Sequence, residues 1–291
     1  MEVYDRILIT GGGGMLAKAL ARKLVVRGVK VTSLDRSALD ITSAQIPRVF
    51  VEVKPTLVIN CAAYTKVDLA EEQRALAEHV NDRAVAGLGF ESAQMNAKLV
   101  HFSTDFVFDG TARRPYRADD ATNPASWYGM TKQKGEVSLS NVPNLDYLLI
   151  RTAWLYGPGG PNFVQTMLKA ARDGKSLKVV RDQTGSPTFT HDLAEATLNL
   201  IDAKARGIFQ VTNAGQTTWF DFATAIFEEF GLKPDLSPTT AAAWKESHPH
   251  SATRPAYSVL DTSAYERATG KRLRPWRDAL KEYARVVREA P

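Results

Sequence analysis

Two residues in this sequence have types and spacing suited to proton chemistry. They are Tyr128 and Lys132, in the stretch Trp127-Tyr128-Gly129-Met130-Thr131-Lys132. Four residues apart, they lie on one face of a helix, one turn from each other. A lysine ammonium beside a phenol favours the phenolate and lowers a pKa that is ordinarily ~10. Reaching 7 needs ~3 units, or ~4 kcal/mol of differential interaction. That is large for one neighbour, so a cationic cofactor ring is expected to share the task. The same spacing occurs on ordinary amphipathic helices, and it gains meaning only beside a dinucleotide site.

The chain carries such a site upstream. Arg6-Ile7-Leu8-Ile9-Thr10 is a short apolar run that ends in four glycines, Gly11 to Gly14, and continues as Met15-Leu16-Ala17. This reads as buried strand, tight turn and helix. Glycines let the backbone approach a pyrophosphate, and Met15 and Leu16 open a helix whose N–H groups and dipole suit an anion. Gly11, Gly14 and Ala17 fit a G-x-x-G-x-x-A spacing. Asp35 closes a second strand about 20 residues on, where a carboxylate can take the adenosine ribose hydroxyls. Arg36 beside it suits a 2′-phosphate instead. Both NADPH and NADH stay open on these two residues. Asp40 and Ile41 are placed to line the adenine. Cys61-Ala62-Ala63-Tyr64 follow a third strand, Leu57 to Asn60, with small residues against the cofactor. Cys61 itself reads as a small buried apolar residue.

These elements imply a scaffold. Leu99 to Ser103 forms a fourth strand, with Thr104 and Asp105 at its carboxyl end, where ligands bind in open α/β sheets. Leu145 to Ile150 forms a fifth, with the Tyr128 helix between them. A long helical pattern runs from Val67 to Asn96, with Leu69, Leu76, Val80, Val85 and Leu88 on one side. The rhythm predicts α/β: a Rossmann-type doubly wound parallel sheet with a smaller C-terminal substrate-binding region. Residues 1–150 are expected to form the dinucleotide-binding domain, with about 187–212 returning to the sheet. Residues 151–291 are expected to be mainly substrate-binding. A strand at Leu177 to Val180, a last sheet strand at Gly207 to Val211 and a helix from Pro275 to about Glu289 are expected there, with irregular chain before that helix.

Composition narrows the class further. The net charge of +5 over 291 residues is spread out, and its densest patches lack interleaved aromatics. Neither nucleic acid nor membrane is therefore expected as a partner. The single cysteine excludes an internal disulfide and fits a reducing compartment, so a cytoplasmic location is expected. His248-Pro249-His250 has no cysteine or carboxylate cluster beside it and reads as a plain loop rather than a metal site.

At this point the chain resembles the extended short-chain dehydrogenase/reductases, and among them the dTDP-4-dehydrorhamnose reductase family. The resemblance runs nearly end to end. It rests on the glycine turn, LDITS from Leu39, NCAAYTKVDLAE from Asn60, HFSTDFVFDG from His101 and YGMTK from Tyr128. RTAWLYG from Arg151, DQTGSPT from Asp182, TTW from Thr217 and RPAYSVLD from Arg254 continue it. It implies a catalytic set of Thr104, Tyr128 and Lys132. Thr104 would hold the substrate keto oxygen, Tyr128 would donate the proton, and Lys132 would hold the nicotinamide ribose and lower the tyrosine pKa. Val67, Thr104, Asp105, Trp154, Trp219 and Arg254 would bind a dTDP-linked 4-keto-6-deoxyhexose. The reaction implied is NAD(P)H-dependent reduction of the C4 keto group of dTDP-4-dehydro-L-rhamnose. A reductase of another nucleotide sugar, a non-catalytic regulatory subunit and an epimerase share much of this pattern. Some members bridge a homodimer with Mg²⁺ through glutamates, one of them on the helix after the glycine turn. Here that position is Ala19, beside Lys18, so no metal is expected, while a homodimer stays open.

Overall fold

The computed structural model describes residues 4–289. Its first half alternates strand and helix. β1 (Ile7–Thr10) leads through the glycine turn into α1 (Met15–Val26), then β2 (Val31–Leu34), α2 (Ile46–Val53) and β3 (Leu57–Asn60). After α3 (Arg74–Glu78) and α4 (Ala84–Gln94) come β4 (Lys98–Thr104), α5 (Trp127–Ser140) and β5 (Tyr147–Thr152). β1, β3 and β4 are buried throughout, as apolar runs covered on both faces must be.

The second half begins with β6 (Leu155–Tyr156), α6 (Phe163–Arg172), β7 (Leu177–Val180), β8 (Thr184–Gly185) and β9 (Thr188–Phe189). It then returns through α7 (Thr190–Asp202) to β10 (Gly207–Gln210). β11 (Thr217–Thr218), α8 (Trp219–Phe230), β12 (Leu236–Thr239), α9 (Ala241–Ser247), α10 (Ser263–Thr269) and α11 (Trp276–Arg288) complete it. The main sheet has six strands in the order β10-β5-β4-β3-β1-β2, all parallel. This is the Rossmann-type sheet expected from the strand–helix rhythm.

Leu16, Leu20 and Leu24 of α1 pack with Leu193, Leu200 and Ile201 of α7 over one face of the sheet. Phe50 of α2 with Val85 and Leu88 of α4 covers the other. A separate core joins Tyr156, Phe189, Phe222, Trp276 and Tyr283 beneath α6, α8 and α11.

β7 stands where a strand was expected and pairs with β12 in a two-stranded sheet of its own. Two stretches depart from expectation. The stretch before α11, expected to be irregular, holds β12, α9 and α10. The helical pattern from Val67 is also interrupted. A 3₁₀ turn at Leu69–Glu71 precedes α3, and a π-helical turn at His79–Arg83 joins α3 to α4. Leu69 and Leu76 are consequently exposed while Val85 and Leu88 are buried. The π turn accompanies a polar contact: buried Asn81 accepts from the Tyr64 N–H at 2.9 Å and donates to Tyr64 O and Thr131 Oγ1, both at 3.1 Å. An extra residue in the turn suits such a reach, and π-bulges often serve functional sites.

Candidate active site

All the residues singled out above for cofactor and substrate line one cleft of about 1460 Å³ at the carboxyl ends of β1, β3 and β4. The turn after β1 is built for close approach. Gly11 has φ +67°, and a Cβ there would lie 2.6 Å from the Ala62 backbone nitrogen. Gly12, which spacing alone did not single out, would put a Cβ 2.6 Å from Ser33 Oγ. The first turn of α1 has no acidic residue and no side-chain cap, which leaves its N–H groups for an anion. The cradle therefore fits a pyrophosphate. Across it lies the 157–161 loop. Asn162 Nδ2 donates to Gly157 O at 2.8 Å and Gly160 O at 3.1 Å, and Lys18 Nζ donates to Gly159 O at 3.0 Å. Neither Lys18 nor Asn162 was marked by sequence reasoning, because the partner loop lies about 140 residues from α1.

At the adenosine end, Asp35 Oδ1 takes the Ser37 N–H at 2.9 Å, the Ser37 hydroxyl at 2.6 Å and the Ala38 N–H at 3.2 Å. These bonds, led by the Ser37 hydroxyl, hold its carboxyl below the usual range. Arg36 Nε donates to Asp40 Oδ2 at 3.0 Å with its side chain 77% exposed. An ion pair so exposed is weak, so the guanidinium is easily redirected. Ile41, Ala63 and Tyr64 continue the wall. Cys61 lies in it too, its thiol pushed up by burial.

The candidate reacting groups meet where β4 ends. Ser126 caps α5 by accepting from the Gly129 N–H at 3.2 Å. A Cβ at Gly129 would fall 2.2 Å from Phe106 O, so only glycine lets the helix lie this close to the chain after β4. That approach brings Tyr128 into hydrogen bonding with Thr104. Thr104 Oγ1 in turn bonds Asp105 Oδ1 at 3.0 Å and accepts from the Phe106 N–H at 3.2 Å. Among the described residues two buried polar atoms here, Ser103 Oγ and Asp105 Oδ2, meet no partner in full hydrogen-bond geometry, although the Ser258 hydroxyl acts on the Asp105 carboxyl. Burial pushes Asp105 up to about 6.

Lys132 behaves differently from expectation. Its Nζ donates to Phe102 O at 2.6 Å and meets His101 Nε2 at 3.2 Å, and burial brings its pKa down to about 8. No bond from Lys132 to the phenol is formed. Desolvation pushes Tyr128 up to about 12, opposed by the Thr104 bond and reinforced by Asp105. Tyr128 is therefore held as a phenol, and the Lys132 charge is directed at the strand beneath rather than at the phenol. The reason is geometric: one helical turn puts the two side chains on one face but leaves Lys132 closer to the strand beneath.

The same cleft is lined by the expected Trp154 and Trp219, and by Val67 and Arg254. Arg254 donates to Asp68 at 2.9 Å, and the Ala252 N–H donates to the same carboxylate at 2.9 Å, which ties the C-terminal loop across the cleft mouth. Lys178, Gln183, Trp244 and Lys245 line the same region. Lys178 and Gln183 lie in stretches the sequence did mark, the β7 strand and DQTGSPT, though not as site residues. Trp244 and Lys245 lie where irregular chain was expected, so sequence offered no signal for them. Ala19 is buried in the α1–α7 packing. Its side chain faces the protein's own core rather than a partner subunit.

A parallel sheet with this strand order, a glycine cradle after its first strand and a Thr–Tyr–Lys set at the cleft centre is the plan of the extended short-chain dehydrogenase/reductases. The chain belongs to the family described as RmlD substrate binding domain, which matches residues 5–289. It is 44% identical over 285 residues to a dTDP-4-dehydrorhamnose reductase of Streptomyces griseus, covering 95% of this chain and 92% of the relative. A crystal structure of a dTDP-4-dehydrorhamnose reductase from Clostridium acetobutylicum superposes with a TM-score of 0.91 at 42% identity, covering 97% of this chain and 99% of that one. The Bacillus anthracis dTDP-4-dehydrorhamnose reductase, solved in complex with NADP, gives 0.90 at 35% identity, covering 96% and 98%.

Proposed function

We propose that this protein reduces the C4 keto group of a dTDP-linked 4-keto-6-deoxyhexose, dTDP-4-dehydro-L-rhamnose, with NADPH or NADH. The observation that carries the reading is the Thr104–Tyr128 hydroxyl pair, set beside buried Lys132 at the centre of a dinucleotide cleft. Bound cofactor supplies the hydride. Tyr128, held as a phenol, gives its proton to the C4 oxygen, and Thr104 orients that oxygen. Both donors act on an atom that gains negative charge, so they stabilise the transition state more than the ketone. Lys132 keeps an N–H for the nicotinamide ribose. The Asp35–Ser37 turn and Arg36 hold the adenosine end, and Gly11, Gly14, Met15 and Leu16 the pyrophosphate. Trp154, Trp219, Val67, Asp105 and Arg254 hold the sugar nucleotide.

Among the described residues no helix is long and apolar enough to cross a membrane. A nucleotide-sugar reductase of this kind is expected to work in the cytoplasm, as a monomer or homodimer.

The test is to incubate the protein with freshly generated dTDP-4-dehydro-L-rhamnose and each reduced cofactor, following nicotinamide absorbance. Oxidation coupled to formation of dTDP-L-rhamnose is expected. Cofactor binding without turnover would favour a regulatory subunit. Turnover only with a different 4-keto sugar nucleotide would move the substrate while keeping the chemistry.

A further inference from the structure

Helix α5 carries Tyr128 as its second residue, and its first turn holds no acidic side chain of its own. A helix leaves its first N–H groups without intrahelical partners. Two of them are taken here by side chains. Ser126 Oγ accepts from the Gly129 N–H at 3.2 Å, and Glu71 Oε1 accepts from the Trp127 N–H at 2.8 Å. Glu71 lies 56 residues earlier, in the 3₁₀ turn Leu69–Glu71. A carboxylate at a helix N-terminus meets the positive end of the dipole, and a charge-assisted bond is stronger than a neutral one.

Glu71 is itself held in place. Arg74 Nε donates to the Glu71 carbonyl oxygen at 3.1 Å, and the Arg74 guanidinium lies 3.7 Å from the Glu71 carboxylate. Asp68, just before the turn, accepts from the Ala252 N–H and from Arg254, and Ala70 within the turn is fully buried. The same segment grips the Trp127 ring. Trp127 Nε1–H donates to Arg74 O at 3.1 Å. The Arg74 guanidinium and the Lys134 ammonium lie 4.9 and 5.4 Å from the ring centroid, within reach of its π face. Tyr64, Ala70 and Ala77 pack against Trp127 and Tyr128 from below.

Tyr128 therefore sits between two fixed points. On one side the Trp127 N–H is anchored to Glu71. On the other, Gly129 lies so close to Phe106 O that a Cβ would fall 2.2 Å from it. The backbone of Tyr128 has little room to shift, and its hydroxyl meets Thr104. A proton donor must come within about 2.6–3.2 Å of its acceptor, and a misplacement of about 1 Å costs on the order of 10² in rate. Glu71 is not among the described residues that line the cleft, so its reach to the chemistry is through the helix alone.

We infer that Glu71 is a positioning residue for the reduction: by holding the first N–H of α5 it sets the Tyr128 hydroxyl at the reaction centre. This rests on the proposed role of Tyr128 as proton donor. A cycle with Tyr128→Phe separates the failure of one from the failure of the other.

Amide hydrogen exchange of the intact protein reads the anchor without any variant. The Trp127 N–H is expected to be protected, and exchange at the rate of an open helix end would overturn the anchor. In steady-state reduction, Glu71→Ala is expected to lower kcat about tenfold, with the cofactor Kd and the sugar-nucleotide KM within about twofold of wild type. Glu71→Gln keeps an oxygen that can accept the Trp127 N–H and is expected to restore most of kcat. Should Glu71→Ala fail to fold, Glu71→Asp, which draws the acceptor back by one methylene, carries the same expectation. In a Tyr128→Phe background the Glu71 variant is expected to lower the residual rate no further, because its effect passes through the hydroxyl. Unchanged kcat, or an equal loss in both backgrounds, would make Glu71 a packing residue only. Full kcat in Tyr128→Phe together with a tenfold loss in Glu71→Ala would overturn the route through Tyr128 while leaving the anchor.

Discussion

The indole rings of Trp154 and Trp219 stack face to face, centroids 3.5 Å apart and 8° from parallel, in the lining of the cleft that Tyr128 shares. Trp154 holds this position with φ +45°, an unusual conformation for a bulky residue. Gly185 lies against its edge, where a Cβ would come within 2.5 Å of the ring. Phe163 packs on Trp219 from the side at 4.6 Å. The shelf is thus assembled from β8, α6, α8 and the loop after β5. An aromatic pair contributes ~0.5–1.5 kcal/mol beyond its buried area. Trp219→Ala is therefore expected to raise KM for the sugar nucleotide by roughly tenfold, with kcat changed much less. Gly185→Val is expected to do the same by displacing Trp154. Steady-state kinetics on both variants check this, and an unchanged KM in both would remove the shelf from substrate binding.

Tyr128→Phe removes the hydroxyl proposed as the proton donor and leaves the ring that packs on Phe106 at 5.5 Å. The fold and the cofactor Kd are expected to stay as in wild type. Turnover is expected to drop by ~10²–10⁴, the usual worth of a positioned general acid. Retention of most of kcat on a 4-keto sugar nucleotide would assign the proton to another group.

Arg36 offers a test of cofactor choice. Its bond to Asp40 is surface-exposed and is expected to yield to a 2′-phosphate. Arg36→Ala should then weaken NADPH more than NADH in a binding titration. Equal changes in the two Kd values would mark Arg36 as a bystander.

The position of Ala19 bears on metal dependence. Because its side chain is buried against α7, no ligand can project from there toward a partner without unpacking the core. Activity is expected to survive exhaustive EDTA dialysis, with sedimentation run alongside. Loss of turnover that Mg²⁺ restores together with a dimer would show that other carboxylates serve.

Local signals made much of this readable in the sequence. The turn from Gly11 to Gly14, the Tyr128–Lys132 spacing and the apolar strands each depend on neighbours within a few residues. Contacts set by strand register did not announce themselves. Nothing around His101 in the sequence points to Asn60, whose Nδ2 strand register sets 3.0 Å from its Nδ1. Lys132 was expected to face Tyr128 because helical spacing fixes a face, yet spacing says nothing about the carbonyl of Phe102 below. The π turn at His79–Arg83 was hidden because a run of helix formers looks alike whether or not one residue is inserted.

Asp105 offers a test of the site's electrostatics that needs no substrate. Its carboxyl is buried, with Oδ2 meeting no partner in full hydrogen-bond geometry among the described residues, and its pKa stands at about 6 against 3.8 for an exposed aspartate. A carboxyl with a raised native pKa contributes its full share of stability below the unfolded pKa, where it is neutral in both states. That share is lost as pH rises through the native value, because the folded protein must then bury a charge. The window therefore runs from about 4 to about 6. The difference of about 2 units corresponds to at most ~3 kcal/mol above the window. Asp105→Asn keeps the shape and removes the charge. Its melting temperature is expected to match wild type at pH 4 and to exceed it by several degrees at pH 8. Kinetics are expected to move the other way, with a weaker KM where the carboxylate meets the sugar. Melting curves that run parallel at both pH values would mean that Asp105 is solvated in the folded protein and that its burial does not govern its charge.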